Sequence, residues 1–355
     1  MISKHTFGQL QDETEINIYT LSNANGIEVK IMNLGGIIVS LKTPNKDGIF
    51  EDIVLGFDSL KEYFHNNSYF GAIAGRYANR IALGKFTLAG NTYSLAQNNL
   101  GNHLHGGIKG FDTVYWYIEE NPLANGDSSI ILKYTSPDME EGYPGNLKVE
   151  VIYTLTKEDE LKIDYSAKTD KTTLVNLTQH SYFNLSGKQE STVLDHQVVL
   201  NADRFIPIDH TFIPTGLIES VEGTPFDFRK PKIIAENIED NNEQLGYANG
   251  YDHCWVLNGG ENEMKFAGAA FESASGRSIE VYTTEPGMQF YSGNFLDGSI
   301  KGKNGVDYVK NAGFCFETSH YPDSPNNLQF PSVELHPEKM YKTSTIFKFN
   351  KAKSF

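Results

Sequence analysis

The sequence predicts an all-β protein, a large sandwich of antiparallel sheets with few and short helices. Apolar and polar residues alternate with a period of two in many short segments, as they do in half-buried strands. Glycine, asparagine and aspartate are spread evenly along the 355 residues, which is typical of turns between strands. No repeat, low-complexity tract or linker divides the chain, so we expect one domain over residues 1–355.

The clearest strand pair lies between residues 147 and 167. Apolar positions alternate with polar ones on both sides of a polar turn at residues 157–160. Successive side chains of a strand point to opposite faces, so this pattern predicts two half-buried strands joined as a hairpin. The apolar positions are Leu147, Val149, Val151, Tyr153, Leu155, Leu161, Ile163, Tyr165 and Ala167.

Shorter patterns predict further strands and two helices. Residues 27–31 and 279–281 alternate in the same way, and Ala89-Gly90-Asn91 separates two strand-like runs as the turn of a hairpin. Residues 58–64 are compatible with two helical turns that begin at Asp58 as N-cap. A second, very acidic helix is expected from about residue 233 to residue 245.

Composition limits the partners and the compartment. The formal net charge of -15 would repel nucleic acid and anionic membrane surfaces. Two cysteines, Cys254 and Cys315, are too few for a disulfide framework, which favours a reducing compartment. The N-terminus lacks a signal-peptide pattern, and no apolar run approaches the ~18 residues of a membrane span. We therefore expect a cytoplasmic protein that binds neither nucleic acid nor membrane.

Two ionisable residues stand in strand-like runs where packing alone does not explain them. His180 lies in the segment TQHSYFNLSG and Glu317 in the segment GFCFET. A buried unpaired carboxylate is costly, so such a group is normally paired, neutralised or functional. The two residues are a plausible acid/base pair. The alternative is that His180 is a structural core or surface residue and that Glu317 faces solvent.

Four other clusters supply polar groups. They are a glycine-bounded segment with Arg76, Asn79 and Arg80, the pair His103 and His105, the pair Asp252 and His253, and Gln289 between aromatic residues. One of the two arginines is expected to form a structural ion pair at a strand edge. Taken together, these residue types are typical of a site for a neutral, polyhydroxylated ligand held by paired donors and acceptors.

The spacing of His103 and His105 also suggests a metal site of the kind found in cupins. That motif requires a glutamate four or five residues after the second histidine, and Lys109 and Gly110 occupy those positions. A metal also needs a third and a fourth ligand. The nucleophile-elbow pattern and glycine-rich phosphate loops are absent from the sequence. We therefore expect neither a metal nor another cofactor.

In these residues the chain resembles the aldose 1-epimerase (galactose mutarotase) family. The resemblance extends from about Phe7 to Phe349, and its segments follow the order of the family. They are GAIAGRYANRI at 71–81, LHGG at 104–107, GFD at 110–112 with Trp116, NLT at 176–178, HSYFNL at 180–185, YDH at 251–253, TTEPG at 283–287, QFY at 289–291, FET at 316–318, Pro322-Asp323 and Phe330-Pro331.

The resemblance implies a fold, an activity and roles for individual residues. The fold would be the large galactose-mutarotase-like sandwich (supersandwich) with a cleft open on one side. The activity would be the interconversion of α and β anomers of aldohexoses such as galactose and glucose. His180 would be the general acid and Glu317 the general base. The residues expected to bind the sugar are Asn79, Arg80, His105, Tyr182, Asp252 and Gln289.

Two local departures from the family pattern concern the segments near the C-terminus. Thr318 is followed by Ser319 and His320 where a glutamine is usual, which could alter the sugar preference. His336-Pro337-Glu338-Lys339 replaces the usual Pro-Gly-Glu and is expected to be a turn variant. The preferred aldose remains open at this point, as does the choice between monomer and homodimer.

The acid/base mechanism needs a protonated His180, and a nearby carboxylate would raise the pKa of the imidazole. Asp252 is a candidate for that carboxylate. Two rival classes of function remain. A glycoside hydrolase would use two carboxylates, of which Asp252 is the only second candidate beside Glu317. A sugar-binding protein without activity would keep the fold alone. The acidic chain argues mildly against a sugar phosphate as substrate.

Overall fold

The computed structural model describes residues 1–64 and 68–351, and strands dominate them. In chain order the strands are β1 (Ile2–Gln9), β2 (Glu15–Ser22), β3 (Glu28–Met32), β4 (Ile38–Pro44), β5 (Phe50–Asp52), β6 (Ala72–Ala74), β7 (Arg80–Ile81), β8 (Lys85–Leu88), β9 (Asn91–Ser94), β10 (His103–Leu104), β11 (Tyr117–Glu120), β12 (Ser128–Ser136), β13 (Leu147–Leu155), β14 (Glu160–Thr169), β15 (Thr173–Leu174), β16 (Thr178–His180), β17 (Gln197–Leu200), β18 (Arg204–Ile206), β19 (Glu219–Ser220), β20 (Lys232–Ile233), β21 (Asp252–Val256), β22 (Lys265–Glu272), β23 (Arg277–Thr283), β24 (Gly287–Tyr291), β25 (Cys315–Ser319), β26 (Glu334–Leu335) and β27 (Tyr341–Lys351).

The α-helices of the described residues are α1 (Leu60–Phe64) and α2 (Glu243–Ala248). Single 3-10 turns occur at Ala82–Gly84, Glu140–Gly142, Ile234–Glu236, Lys303–Gly305 and Ser324–Asn326. Neither α-helix has the length or the apolar character needed to cross a membrane, and the described residues form no other α-helix. The predicted fold class, strands with few and short helices, is confirmed.

Three antiparallel sheets make up most of the structure. The largest has the strand order β11-β12-β13-β14-β27-β23-β22-β17-β20, and a five-stranded sheet near the N-terminus has the order β1-β2-β3-β4-β5. The third has the order β19-β18-β21-β24-β25. A continuous apolar core joins all three, with Val29 from the N-terminal sheet, Val151 and Phe347 from the nine-stranded sheet, and Trp255 and Phe290 from the third. Sheets that share one core in this way form a sandwich.

The hairpin predicted from residues 147–167 is strands β13 and β14, which pair from Leu147 opposite Thr169 to Leu155 opposite Leu161. All nine of its predicted apolar positions are buried. Burying one such aliphatic side chain stabilises the fold by about 1.5–3 kcal/mol, so the alternation fixes which face of the sheet meets the core. Strands β8 and β9 form the predicted second hairpin.

Both helix predictions differ from the structure at their boundaries. Helix α1 begins at Leu60, and Asp58 accepts a hydrogen bond from the distant Asn304 N–H instead of capping the helix. The expected helix at 233–245 is wrong for most of its length. Only the 3-10 turn at Ile234–Glu236 and the start of α2 are helical there, and Asn242 caps α2 through the N–H groups of Gln244 and Leu245. An asparagine in the middle of the acidic run therefore starts a new helix.

Candidate active site

Strands of the third sheet bring the polar residues together. In β21, β24 and β25 every residue is buried, so both faces of these strands are covered. Gln289 on β24 pairs with Glu317 on β25 and with Cys254 on β21. His180 ends β16, a short strand that pairs with β6 through Ala72. Polar side chains at these central positions have to face either a partner or a cavity.

They face a cavity of about 270 Å³. Seven of the eight residues expected to form the site line it, and the eighth, Gln289, is hydrogen-bonded to one of them. The lining residues are Ser68, Tyr69, Asn79, Arg80, Asn99, Leu104, His105, His180, Tyr182, Asp252, Tyr291, Phe295, Leu296 and Glu317.

His180 and Glu317 lie side by side at this cavity. The distance from His180 Nε2 to Glu317 Oε1 is 3.6 Å, and the two side chains are only 6% and 5% exposed. The residues are 137 positions apart in the sequence, so only the tertiary fold brings them together. Tyr182 stacks on the His180 ring with a centroid distance of 5.1 Å and an interplanar angle of 24°.

The environment of Glu317 favours its protonated form. Burial raises the pKa of Glu317, the negative charge of Asp252 adds to the increase, and the Arg80 guanidinium opposes it, so that the pKa is about 8. An ordinary glutamate has a pKa near 4.3. At neutral pH the carboxyl group therefore holds a proton.

The environment of His180 favours its neutral form. Burial lowers the pKa of the imidazole to about 4, against a smaller opposing effect of a hydrogen bond with its own backbone. The expectation that a nearby carboxylate raises the pKa of His180 is therefore wrong. The cause is burial, which no carboxylate charge offsets at His180, whereas the charge of Asp252 acts on Glu317. Apart from the ring proton of the neutral imidazole, the pair carries one titratable proton at neutral pH, and that proton resides on Glu317.

His105 is held as a hydrogen-bond donor. It follows β10 in a left-handed backbone conformation, with φ of 49°, and its Nδ1 accepts the backbone N–H of Asn79 at 3.1 Å. Burial and the neighbouring His180 keep the pKa of His105 well below its ordinary value. A neutral imidazole that accepts at Nδ1 carries its proton on Nε2. His105 can therefore donate to a ligand oxygen.

This hydrogen bond also bears on the question of a metal. Nitrogen and oxygen atoms of His105, His180 and Glu317 lie within 4.8 Å of one another, a spacing that would otherwise suit an ion. The Asn79 N–H occupies the Nδ1 lone pair of His105, and Nε2 holds the proton, so His105 has no lone pair free for a metal. Both ring nitrogens of His103 already have hydrogen-bond partners, since Nδ1 contacts Ala96 O at 2.8 Å and Nε2 contacts Tyr143 Oη at 2.7 Å. The residues fit a metal poorly.

A second polar pair near Glu317 consists of Asp252 on β21 and Gln289 on β24. The Gln289 Nε2 amide donates to Asp252 Oδ1 at 2.7 Å, and Gln289 Oε1 is buried without a hydrogen-bond partner among the described residues. Burial raises the pKa of Asp252, while Arg80 and the Gln289 amide lower it. An unpaired buried acceptor is costly, so Gln289 Oε1 is suited to a ligand hydroxyl.

Arg80 is positioned by three neighbours. Its Nε donates to Asn99 Oδ1 at 3.1 Å, its guanidinium lies 4.6 Å from the ring centre of Phe212, and its backbone N–H donates to Asn79 Oδ1. The structural role expected for one of the two arginines belongs to Arg76, but its hydrogen-bond partners are a hydroxyl and backbone carbonyls, not the carboxylate of an ion pair. Arg76 is buried and donates to Ser136 and to the backbone carbonyls of residues 136, 137, 144 and 145.

Several lining residues carry no signal in the sequence. Tyr69 contacts the ring of His105 at 4.6 Å and that of His180 at 5.9 Å. Tyr291 and Phe295 stack on each other at 6.1 Å. A tyrosine or phenylalanine in a strand-rich chain is indistinguishable from a core residue by pattern alone, so nothing selects Tyr69 or Phe295, and Tyr291 appears only within the QFY segment, without a role.

His320 does not reach the sugar-sized cavity. Its Nδ1 contacts Glu285 Oε2 at 2.6 Å, and it lines a different cavity of about 430 Å³ together with Thr284 and Tyr341. Burial lowers the pKa of His320, but the pairing with Glu285 raises it by more. The departure from the family pattern at this position therefore places a histidine beside Glu285, outside the cavity that His180 and Glu317 line.

Comparisons with known proteins agree with the geometry. The sequence profile of the family described as aldose 1-epimerase matches residues 17–348. The chain is 48% identical to galactose mutarotase of Bos taurus, with 92% of each chain covered. It is 45% identical to galactose mutarotase of Sus scrofa, with 99% of each chain covered. The structure of an aldose epimerase homologue from C. elegans superposes with a TM-score of 0.86 at 30% identity, covering 94% of this chain and 99% of that one.

Proposed function

The chain belongs to the aldose 1-epimerase family of isomerases, and on that basis we propose that it interconverts the α and β anomers of an aldohexose such as galactose or glucose. One observation carries the proposal. A buried histidine and a buried glutamic acid lie 3.6 Å apart at the wall of one cavity. The size of the cavity suits one monosaccharide, and so do the groups that line it.

The reaction needs one acid and one base. A base takes the proton from the hydroxyl on C1 while an acid protonates the ring oxygen, and the bond between C1 and the ring oxygen breaks. The open-chain aldehyde rotates about the C1–C2 bond and closes on its other face. We assign the acid to His180 and the base to Glu317. Each is expected to contribute about 10²–10⁴-fold to the rate.

The proton shared by the pair explains how one site serves both directions. Ring opening converts a protonated His180 and an ionised Glu317 into a neutral His180 and a protonated Glu317, and ring closure reverses the exchange. Both states contain the same number of protons. The raised pKa of Glu317 and the lowered pKa of His180 favour the second state. Hydroxyl groups of a cyclic sugar that donate to Glu317 would stabilise its ionised form and so favour the first.

The remaining residues orient the sugar. His105 offers an Nε2–H donor, Gln289 an unpaired acceptor and Asp252 a buried carboxylate, which together match hydroxyl groups that both donate and accept. Arg80 balances the charge of the two carboxyl groups, Asn79 fixes the tautomer of His105, and Tyr182 supports the His180 ring.

A glycoside hydrolase remains the second candidate because Asp252 and Glu317 line the same cavity. Hydrolysis would need one of them as acid and the other as nucleophile or base. Burial raises the pKa of Asp252 although Arg80 and the Gln289 amide oppose it, and the group beside Glu317 is His180, at 3.6 Å. The histidine–glutamate pair therefore supports epimerisation over hydrolysis.

Polarimetry tests the proposal directly. Freshly dissolved α-D-galactose and α-D-glucose should reach anomeric equilibrium faster with the protein than without it. A chelator such as EDTA should leave the rate unchanged, because His105 has no lone pair for an ion. A rate equal to that of buffer for both sugars, together with cleavage of a nitrophenyl galactoside, would replace this proposal with hydrolysis. Activity lost in chelator and restored by a divalent ion would overturn the metal-free mechanism.

Partners, compartment and domain number complete the proposal. The net charge of -15 argues against nucleic acid and anionic membranes as partners. The chain would act in the cytoplasm as a single domain over residues 1–355, either as a monomer or as a homodimer.

A further inference from the structure

Strand β25 contacts both nitrogens of the His180 ring. Glu317 lies 3.6 Å from Nε2, and the sulfur of Cys315 lies 3.6 Å from Nδ1. The two residues are two positions apart in one strand, so their side chains project from the same face. Cys315 has no exposed surface, and burial keeps the pKa of its thiol well above the ordinary value. The sulfur therefore stays a neutral thiol beside the ring.

The chemistry of the ring limits what can stand at Nδ1. When His180 has given the Nε2 proton to the ring oxygen of the sugar, the neutral imidazole must keep its other proton on Nδ1, so that Nε2 can take the first one back. A protonated Nδ1 needs an acceptor, and beside the weak hydrogen bond of the ring with its own backbone, Cys315 is the side chain that lies at Nδ1. A thiol sulfur is a weak acceptor, and it holds the ring without making it as basic as a carboxylate would.

We propose that Cys315 is a positioning residue for His180, whose sulfur accepts the Nδ1–H and so keeps Nε2 directed at Glu317 and the sugar. This inference rests on the acid role given to His180 in the proposed function. Cys315 acts through the histidine and makes no contact with substrate.

Steady-state kinetics test the role, with Cys315→Ala and Cys315→Ser compared with the wild type. We expect the alanine variant to lose about tenfold or more in kcat, by analogy with the scale seen when the hydrogen-bonding partner of a metal-bound histidine is removed. KM should change by less than about twofold, because no sugar contact is lost. The serine variant restores an acceptor and should recover part of the loss.

Cys254→Ala is the matched control. Cys254 is the other cysteine of this sheet, is equally buried, and contacts the carbonyl of Trp255 instead of a histidine. It should lose a similar amount of thermal stability but keep its kcat. Equal kcat values in Cys315→Ala and the wild type, or an equal loss of kcat in both alanine variants, would overturn the inference.

Nitrogen-15 NMR of the histidine side chains gives a readout that packing alone would not move. Neutral His180 should carry its proton on Nδ1 in the wild type, keep it there at least in part in Cys315→Ser, and become a mixture of tautomers in Cys315→Ala. A wild-type ring protonated on Nε2 would refute the proposal even if the alanine variant fails to fold. Absence of mutarotase activity in the wild type would instead refute the proposed function, and the tautomer would still test the contact.

Discussion

Gln289 and Glu317 are paired directly across strands β24 and β25, so that an amide and a carboxyl group project from the same face of the sheet. Gln289 also donates to Asp252 on the adjacent strand β21. Neighbouring positions of three strands therefore bring two carboxyl groups and an amide together. Asp252 lies two residues from Cys254, the residue opposite Gln289 on β21, and its charge raises the pKa of Glu317.

The acid/base pair gives the first prediction. Glu317→Gln and His180→Asn should each lower kcat by about 10²–10⁴-fold while far-UV circular dichroism stays unchanged. The double variant should lose less than the product of the two, because residues that act as a unit are not additive.

A surface pair provides the control for this experiment. His336 and Glu334 have the same 3.6 Å separation but are more than 40% exposed. His336→Asn and Glu334→Gln should retain full activity. Near-full activity in either Glu317→Gln or His180→Asn would show that the wrong pair has been assigned.

The pH profile of kcat/KM gives the second prediction. The productive pair holds one titratable proton. We therefore expect kcat/KM to fall below about pH 4, where His180 becomes protonated while Glu317 still holds its proton, and above about pH 8, where Glu317 ionises while His180 is neutral. Asp252→Asn removes a negative charge and should move the alkaline limb to lower pH. Arg80→Gln removes a positive charge and should move it to higher pH. Shifts in the same direction for both variants would contradict this electrostatic account.

Sugar affinity gives the third prediction. Asp252→Ala removes a hydrogen-bonding carboxylate and leaves the Gln289 amide unpaired, and Arg80→Ala removes donors beside the cavity. Each change should weaken sugar binding by about 1–3 kcal/mol, which isothermal titration or KM will report. Unchanged KM and kcat in both variants would exclude these residues from the site.

Thermal stability gives the fourth prediction. The folded protein holds a proton on Glu317 up to about pH 8, whereas the unfolded chain releases it near the ordinary pKa of about 4.3. The folded state therefore loses stability as pH rises between these values, and the loss is constant above about pH 8. Glu317→Gln removes this penalty. Its melting temperature should exceed that of the wild type by a few degrees at pH 8, with no gain at pH 4. A variant that melts below the wild type at pH 8 would contradict the raised pKa.

The alternation of apolar residues was sufficient to predict much of the sandwich. Leu161, Ile163 and Tyr165 are buried on one face of β14 as the period of two requires. Helix boundaries were less predictable, because Asp58 finds a partner 246 residues away in Asn304 and so does not cap α1. Local propensity cannot anticipate a hydrogen bond that depends on the tertiary fold.

By itself the sequence determined the fold class and seven of the residues that line the cavity, because both are recorded in local patterns and short motifs. Tertiary structure decided the rest. Desolvation placed the shared proton on Glu317 instead of His180, the backbone N–H of Asn79 made His105 a donor unsuited to a metal, and Glu285 held His320 away from the sugar cavity. Protonation, tautomer and direction of a side chain depend on neighbours brought together by folding, and residue types along a chain do not encode those distances.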